Sequence, residues 1–499
     1  MKTTPRVLNK LMNQQSLFLC LDFGSQSVRA AIIDEMGAIV LVEHLENLNY
    51  LNPYQWQVEQ TPQWFYQQSV ICCQNLMTKA KADNVDLSNL KSVGITTMRN
   101  TLINLDREGI PLRNAIVWSD KRKASIIPKL PWYWRLGFSL ASIVKPVNKT
   151  IKELQQSAFI NYIAEHEPKV WQNTEHLLLL SAYLHYRFTN NFIDSSANII
   201  SHLPFNFKHG QWHKSNSWQF NALAVKADWL PKLVAPGAEI GQLSKGCQND
   251  FKLPKSIPLI AMAADKACEM LGSGCYKSGQ LHISLGTAVS ITMLSNKFKG
   301  PKTFYPAYPY LIKGLYITEV MLPFGLALLS EFIKQNKAQL DFLSLNKLKH
   351  RSTEQLIEIY VQANNITADG LEFDMERITN ITQFSNGFVG LKEHSVFQQY
   401  VAIMDAIVCG INLAIISLTK RLRQPVKDIV ISGGGANSTR LLQAIVKKSQ
   451  CNVLKAEAKE AGTLGVAIEL AVSCGIYDNH PQAIKAMLKP SITIKQNDI

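Results

Sequence analysis

Leu17–Ile33, LFLCLDFGSQSVRAAII, is an apolar run broken by one acid, Asp22, then by a Gly-Ser-Gln-Ser turn and an arginine, before a second apolar run. A lone carboxylate in such company is costly to bury unless a cation meets it. Gly24 frees the backbone to turn tightly, and the Ser25 and Ser27 hydroxyls, with the N–H groups of the turn, can face an anion. Strand, acid, small polar turn, strand is what a grip on a metal–phosphate group requires, although an ordinary hairpin with a polar turn reads the same way. The pattern returns at Gln280–Met293, QLHISLGTAVSITM, around Gly286-Thr287. Two such hairpins in separate halves point to a duplicated fold that pinches a phosphate chain between two lobes. A third glycine turn, Asp428–Asn437 (DIVISGGGAN), follows a short apolar strand and precedes a helical run over Ser438–Lys448. None of the three is a P-loop or the spaced dinucleotide fingerprint. The ordered set carries the information.

The chain has 499 residues, enough for two or three domains with substantial cores. A hydrophobic content of 46% and a charged content of 18% are those of a folded protein, not a disordered one. The formal net charge of +14 invites a nucleic-acid reading. The basic residues are scattered, however, and no basic run is interleaved with aromatics as a stacking platform needs. A general attraction for anionic ligands is the inference, with no nucleic-acid partner. Nine cysteines lie without metal-ligand spacing, which fits free thiols in a cytoplasmic protein. No signal peptide is legible, and residues 1–16 read as a short polar leader. The window Pro131–Val144, PWYWRLGFSLASIV, is apolar and aromatic but contains Arg135 and falls short of the roughly 20 residues of a bilayer span. It reads as a substrate-side loop, a lid or a packed helix, with no stable membrane insertion.

From Leu17 strands and helices alternate. Ile39–Leu41, Val93–Thr96, Leu102–Leu105 and Ala115–Trp118 read as strands, a helix starts near Thr61 with Pro62 in its first turn, and Gln155–Tyr186 reads as mostly helical. Ile257–Ala261 is a short strand leading into Asp265 and a helix closed by Gly272 and Gly274. The domain boundary falls near Tyr276, giving domains 1–276 and 277–499. Val396–Leu418 has the apolar spacing of a long helix, and Glu460–Ser473 is a last helix with small residues for close packing.

Asp265, in AMAADKACEMLGSG, sits after a strand and at a helix start. An N-cap aspartate accounts for it, yet such a carboxylate is also fixed at an exposed helix mouth. There it could accept the proton of an attacking hydroxyl, since positioning and electrostatics are most of what phosphoryl transfer asks of a protein. Asp22 would then hold Mg²⁺ through water. Arg99 and Asn100, on a kink after a strand, could hydrogen-bond substrate hydroxyls; Trp118 and Asp120 could flank a polyol. A solvated arginine and a core tryptophan are the plain alternatives.

The ordered set resembles the FGGY carbohydrate kinases from Leu17 to about Tyr477. LDFGSQSVRAAIID looks like the first phosphate motif of that family and HISLGTAVS like the second. ISGGGAN with Glu460-Ala461-Gly462 resembles its adenosine-side elements, TTMRNTLINLDREGIPLRNAIVWSDKR its sugar-contact strands, and GFVGLKEHSVFQQYVAIMDAI its C-terminal signature. The resemblance implies an α/β, two-lobed, actin-like (ribonuclease H-like) ATPase fold with a duplicated core and a ligand cleft between lobes. It implies ATP and Mg²⁺ as cofactors and a small carbohydrate as substrate, and leaves a homodimer open. The catalytic base falls on Asp265 and the metal-associated carboxylates on Asp22 and Asp265. Phosphate contacts fall on Ser25, Ser27, Arg29, Gly286 and Thr287, with Gly24 in the same turn. Adenosine contacts fall on Gly434 and Gly435, with either Asn437 or Thr439 as polar partner. Sugar contacts fall on Met98 and Arg99, with Asn100, Trp118, Asp120 and Lys266 beside them.

Several residues depart from the family pattern. Gln26 stands where threonine is usual. Lys266 follows the base, where a cation could lower the pKa of Asp265 or meet a negatively charged substrate. Met98-Arg99 resembles the Met-His of xylulokinases, while Arg99-Asn100 is similar to the Arg-Glu of glycerol kinases with its carboxylate lost. Phe159 and Tyr162 occupy places often held by Lys and Trp, and Pro131–Val144 looks like an insertion near the sugar entrance. The expectation is an ATP-dependent kinase acting on a ketose such as a pentulose. A nucleotide-binding, actin-like sensor or scaffold without turnover is the alternative, and the carboxylate at Asp265 argues against it.

Overall fold

The computed structural model describes residues 15–46, 50–142, 147–302, 304–322, 324–341, 343, 351–390, 394–457 and 460–495. Most of the polar leader, the end of the Pro131–Val144 window and residues 391–393 of the C-terminal signature lie outside these. The chain divides into two compact units: residues 1–272, 308–315 and 458–488 form the first, and residues 273–307, 316–457 and 489–499 the second.

In the first unit β1 (Leu17–Phe23), β2 (Ser27–Asp34) and β3 (Ile39–Glu46) form an antiparallel meander. Helix α1 (Pro62–Ala82) follows and starts at its proline. β4 (Leu90–Thr97) then lies parallel to β1. Further along the chain come α2 (Trp132–Ser142), β5 (Glu239–Gln242), β6 (Pro258–Ile260) and α3 (Asp265–Gly272). The sheet order is β5-β6-β4-β1-β2-β3, with β6 parallel to β4 and β5 antiparallel at the edge. Every residue of β1 is buried, which is why its apolar run barely alternates.

The second unit repeats this pattern. β7 (Leu281–Leu285), β8 (Val289–Ser295) and β9 (Tyr316–Leu322) form the meander, α4 (Val396–Leu422) follows, β10 (Asp428–Ser432) and β11 (Asn452–Lys455) add in parallel, and β12 (Ile492–Ile494) closes the edge antiparallel. Six of the seven strands of its sheet run in the order β9-β8-β7-β10-β11-β12. Two sheets with the same sequence of antiparallel and parallel joins are the duplication expected from the paired hairpins.

Helix α4 runs one turn past Leu418 and is capped by a Ser395–Gln398 box. It is long and apolar enough to cross a membrane by composition, but most of its apolar residues belong to the core of the second unit, with Leu413 and Ile416 exposed. Gln155–Tyr186 is mostly helical as expected, but strand His176–Leu179 interrupts the helices and pairs antiparallel with Leu102–Leu105. Four leucines in a row, Leu177 to Leu180, have no period to betray them, and a buried edge decides the conformation. The nine cysteines are all free thiols, and Cys72 and Cys73 are buried in α1.

Candidate active site

The β1–β2–β3 register sets Asp22 opposite Arg29 and Arg29 opposite His44. Arg29 Nη1 lies 3.5 Å from Asp22 Oδ2, and its Nε lies 3.8 Å from Glu460 Oε2. His44 Nε2 lies 3.2 Å from Glu460 Oε1. Glu460 leads into the Ala461–Ser473 helix, whose first turn carries Gly462. A Cβ at Gly462 would stand 2.7 Å from Asp22 Oδ2, so the missing side chain makes room for the carboxylate. Burial pushes the Asp22 carboxyl up to about 7; Arg29 pulls it down, while Asp265, Glu269 and Glu460 push it further up.

The hairpin turn is closed by Gly24 N–H donating to Ser27 O at 3.0 Å. Gly24 does not occupy the left-handed region, and a Cβ there would lie 3.4 Å from Ser27 O. The tight turn therefore does not depend on glycine's backbone freedom as the sequence suggests. Two aromatic side chains hold Ser25: Tyr50 Oη donates to its carbonyl at 3.0 Å, and Trp118 Nε1 donates to its Oγ at 2.8 Å. Trp118 is 44% exposed, so its ring is fixed at one edge with much of its surface open. Met98 is buried close by, its N–H on Phe23 O at 2.8 Å and its sulfur 3.9 Å from Tyr50 Oη.

Asp265 opens α3, and the chain just ahead of it is tied to β4 by Thr96 Oγ1 donating to Ala263 O at 2.8 Å. Asp265 Oδ1 accepts the Lys266 N–H at 2.8 Å and lies 3.8 Å from Arg99 Nε. Burial raises the carboxyl above its usual range, and Arg99 and Lys266 oppose this without cancelling it. Lys266 thus acts in the expected direction but is outweighed, and its Nζ pairs with Glu269 at 2.7 Å. Asn100 has φ of +50° and its Oδ1 accepts the Ser201 hydroxyl at 2.6 Å. Asp120 is committed to structure: its oxygens accept Val58 N–H at 2.7 Å, Arg122 N–H at 2.8 Å and the Arg122 guanidinium at 2.7 and 2.9 Å. Arg122 and Arg113 in turn both reach Glu59 Oε1.

The second unit assembles the other motifs. The Gly286-Thr287 turn accepts Leu326 N–H on Gly286 O at 3.3 Å and Ala327 N–H on Thr287 O at 3.1 Å. Gly433 has φ of +86°, and a Cβ there would lie 2.6 Å from Leu285 O. A Cβ on Gly435 would meet Leu285 Cβ at 2.8 Å, whereas one on Gly434 would meet nothing. The outer glycines serve the turn, and the middle one leaves open space against the backbone. Asn437 Oδ1 accepts from Lys455 Nζ at 3.2 Å, and Thr439 opens the following helix.

The structure therefore gathers Asp22, Ser25, Ser27, Arg29, Met98, Arg99, Asn100, Trp118, Asp265 and Lys266 in the first unit, and Gly286, Thr287, Gly434, Gly435 and Asn437 in the second. Glu460-Ala461-Gly462, which the resemblance groups with the adenosine-side elements, belongs to the first unit, where Glu460 meets Arg29 and Gly462 faces Asp22. Sequence reasoning also passes over Tyr50 and Glu269. Glu269 had a signal, four residues from Asp265 on one helix face; Tyr50 had none.

Residues 17–272 match the N-terminal domain, and residues 281–474 the C-terminal domain, of the FGGY family of carbohydrate kinases. The chain belongs to that family, whose members phosphorylate sugars with ATP. It is 22% identical to a xylulose kinase of Lactococcus lactis, over 94% of this chain and 90% of the relative. It is 23% identical to a glycerol kinase of Mycoplasma mycoides, over 94% and 91%. Among solved structures, a gluconate kinase from Lactobacillus acidophilus superposes with a TM-score of 0.76 at 16% identity, covering 97% of this chain and 94% of that one. A xylulose kinase from Rhodospirillum rubrum gives 0.76 at 18%, with the same coverage. The fold is the actin-like, two-domain α/β fold of these kinases.

Proposed function

We propose that this kinase transfers the γ-phosphoryl group of ATP to a hydroxyl of a neutral ketose such as a pentulose, with Asp265 as general base, in two domains dividing near residue 276, with residues 458–488 returning to the first. The observation that carries the reading is Asp265 itself. Both of its contacts fall on Oδ1, its side chain is 30% exposed, and burial raises its basicity. The hydroxyl proton passes to this carboxylate while the hydroxyl oxygen bonds to the γ-phosphorus, the bond to the bridging oxygen breaks, and ADP leaves. Arg99 holds the carboxylate and reaches the sugar side, Trp118 offers an open ring face, and Met98, buried beside Tyr50, lines the same side. Ser25, Ser27, Arg29, Gly286 and Thr287 receive the phosphates, and Gly434, Gly435 and Asn437 the adenosine.

Among the described residues no group of three or more His, Cys, Asp or Glu side chains is arranged to hold a metal. Mg²⁺ needs only one or two carboxylates beside waters and phosphates. Asp22, with Asp265, Glu269 and Glu460 as negative neighbours, is a carboxylate that a cation would relieve, so the residues fit. Mg²⁺ bound there would offset phosphate charge. Lys266 is paired with Glu269, which leaves little net charge for an acidic substrate and favours a neutral sugar over an aldonate. The glycerol kinase likeness supports a small polyol as the next substrate to try. A cytoplasmic location follows from the same metabolic reading.

The test is coupled ADP release with Mg-ATP against ketoses, polyols, aldonates and sugar phosphates. A ketose should give turnover that Asp265→Asn lowers by about 10²–10⁴-fold while nucleotide binding stays. Turnover retained in that variant would remove Asp265 from the role of base.

A further inference from the structure

Helix α2 has two apolar faces. Trp134 and Phe138, one turn apart, stack with ring centroids 5.8 Å apart, and Phe138 meets Trp218 edge-on at 5.5 Å. This inner face fastens the helix to the first unit. The opposite face carries Trp132, Leu136 and Leu140, spaced by four residues, with Tyr133 beside them. These are 69%, 55%, 61% and 51% exposed, and Ile126, on the approach to the helix, is 74% exposed. Large apolar side chains clustered in this way mark an interaction surface.

The charge of the flanking sequence says what the surface meets. From Lys121 to Lys152 the sequence contains no Asp or Glu, in a chain with 38 such residues among 499. Lys121, Lys123, Lys129, Arg135, Lys149 and Lys152 are all exposed. A second copy of this chain would bring the same cations and the same net charge of +14, so self-association sets like charges against each other. An anionic surface is complementary.

We propose that the outer face of α2 docks on an anionic phospholipid surface. Trp132, Tyr133, Leu136 and Leu140 enter the interface, and the flanking lysines meet the headgroups. Trp and Tyr favour the headgroup level, and an apolar helix face rimmed by cations lies in the plane of the interface. With 11 residues, α2 is about half the length of a span, so the contact is peripheral and reversible. This replaces the lid or loop reading of Pro131–Val144. It does not depend on the identity of the sugar.

The test is cosedimentation of the full chain with phosphatidylcholine vesicles and with vesicles containing phosphatidylglycerol, at low and high salt. Partition onto the anionic vesicles should exceed that onto neutral ones at least tenfold and weaken with salt. The Trp132→Ser/Leu136→Ser/Leu140→Ser variant should lose about tenfold, with an unchanged melting temperature and unchanged kinase activity in solution. Tryptophan fluorescence in the native chain should be quenched by brominated lipid, and less so in Trp132→Phe, which keeps the helix apolar if the triple variant fails to fold. No partition onto anionic vesicles, or equal partition by the folded triple variant, would overturn the proposal. So would a dimer in solution that the triple variant abolishes, because a second copy would then cover the face.

Discussion

Asp22 shows how one buried carboxylate ties stability to ligand binding. In the unfolded chain it loses its proton near pH 3.8, and in the folded protein near 7. The stability contributed by its protonated form is full below the lower value and is lost as pH rises through the higher one. Measured without nucleotide or metal, Asp22→Asn should raise the melting temperature more at pH 8 than at pH 5. At about 1.4 kcal/mol per pK unit the upper limit of the gain is about 4 kcal/mol. An equal effect at both pH values would mean that the carboxylate is not held against its charge. Lys266 gives the complementary lesson. From sequence it is a cation beside the base, but Glu269 claims it, and this turns the substrate reading towards neutral sugars.

Among the elements, the glycine turn after β10 separates conformational need from open space. Gly433 needs a positive φ and the absence of a Cβ, whereas Gly434 needs neither. Gly433→Ala should lower the stability of the second unit by about 1–3 kcal/mol in chemical denaturation, while Gly434→Ala should leave stability near the native value and weaken nucleotide binding. If both variants melt alike, the middle glycine is also a structural residue. The pairing of α3 with the Ala461–Ser473 helix uses glycines differently. A Cβ on Gly272 would strike Ala461 O, and one on Gly465 would strike Cys268 O, so the two helices approach backbone to backbone.

For the whole molecule, that helix pair has a consequence for how the chain is cut. Residues 458–488 belong to the first unit although the second unit intervenes in sequence. The helix buries Leu464, Val466, Ile468 and Leu470 there. A fragment ending at Gly272 should therefore lack part of its core and show no cooperative thermal transition by circular dichroism. Supplying residues 458–488 on a linker should restore one. A sharp transition in the short fragment would show that the first unit does not need the returning helix.

The two polar hairpins, the Gly-Gly-Gly turn and the carboxylate at a helix start were legible because each is local: a few consecutive residues fix a turn and what it can face. Their order specified a duplicated α/β core before any coordinate was known, and the matching joins of the two sheets bear this out. What stayed hidden depends on residues far apart in sequence. The strand at His176–Leu179 exists because a buried edge awaits it, Glu460 and Gly462 serve Asp22 because the chain returns to the first unit, and Tyr50 and Trp118 grip Ser25 across 25 and 93 residues. Sequence determined the turns and the chemistry they can hold; tertiary structure decided which charges meet, because burial and pairing are properties of neighbours that the chain brings together only by folding.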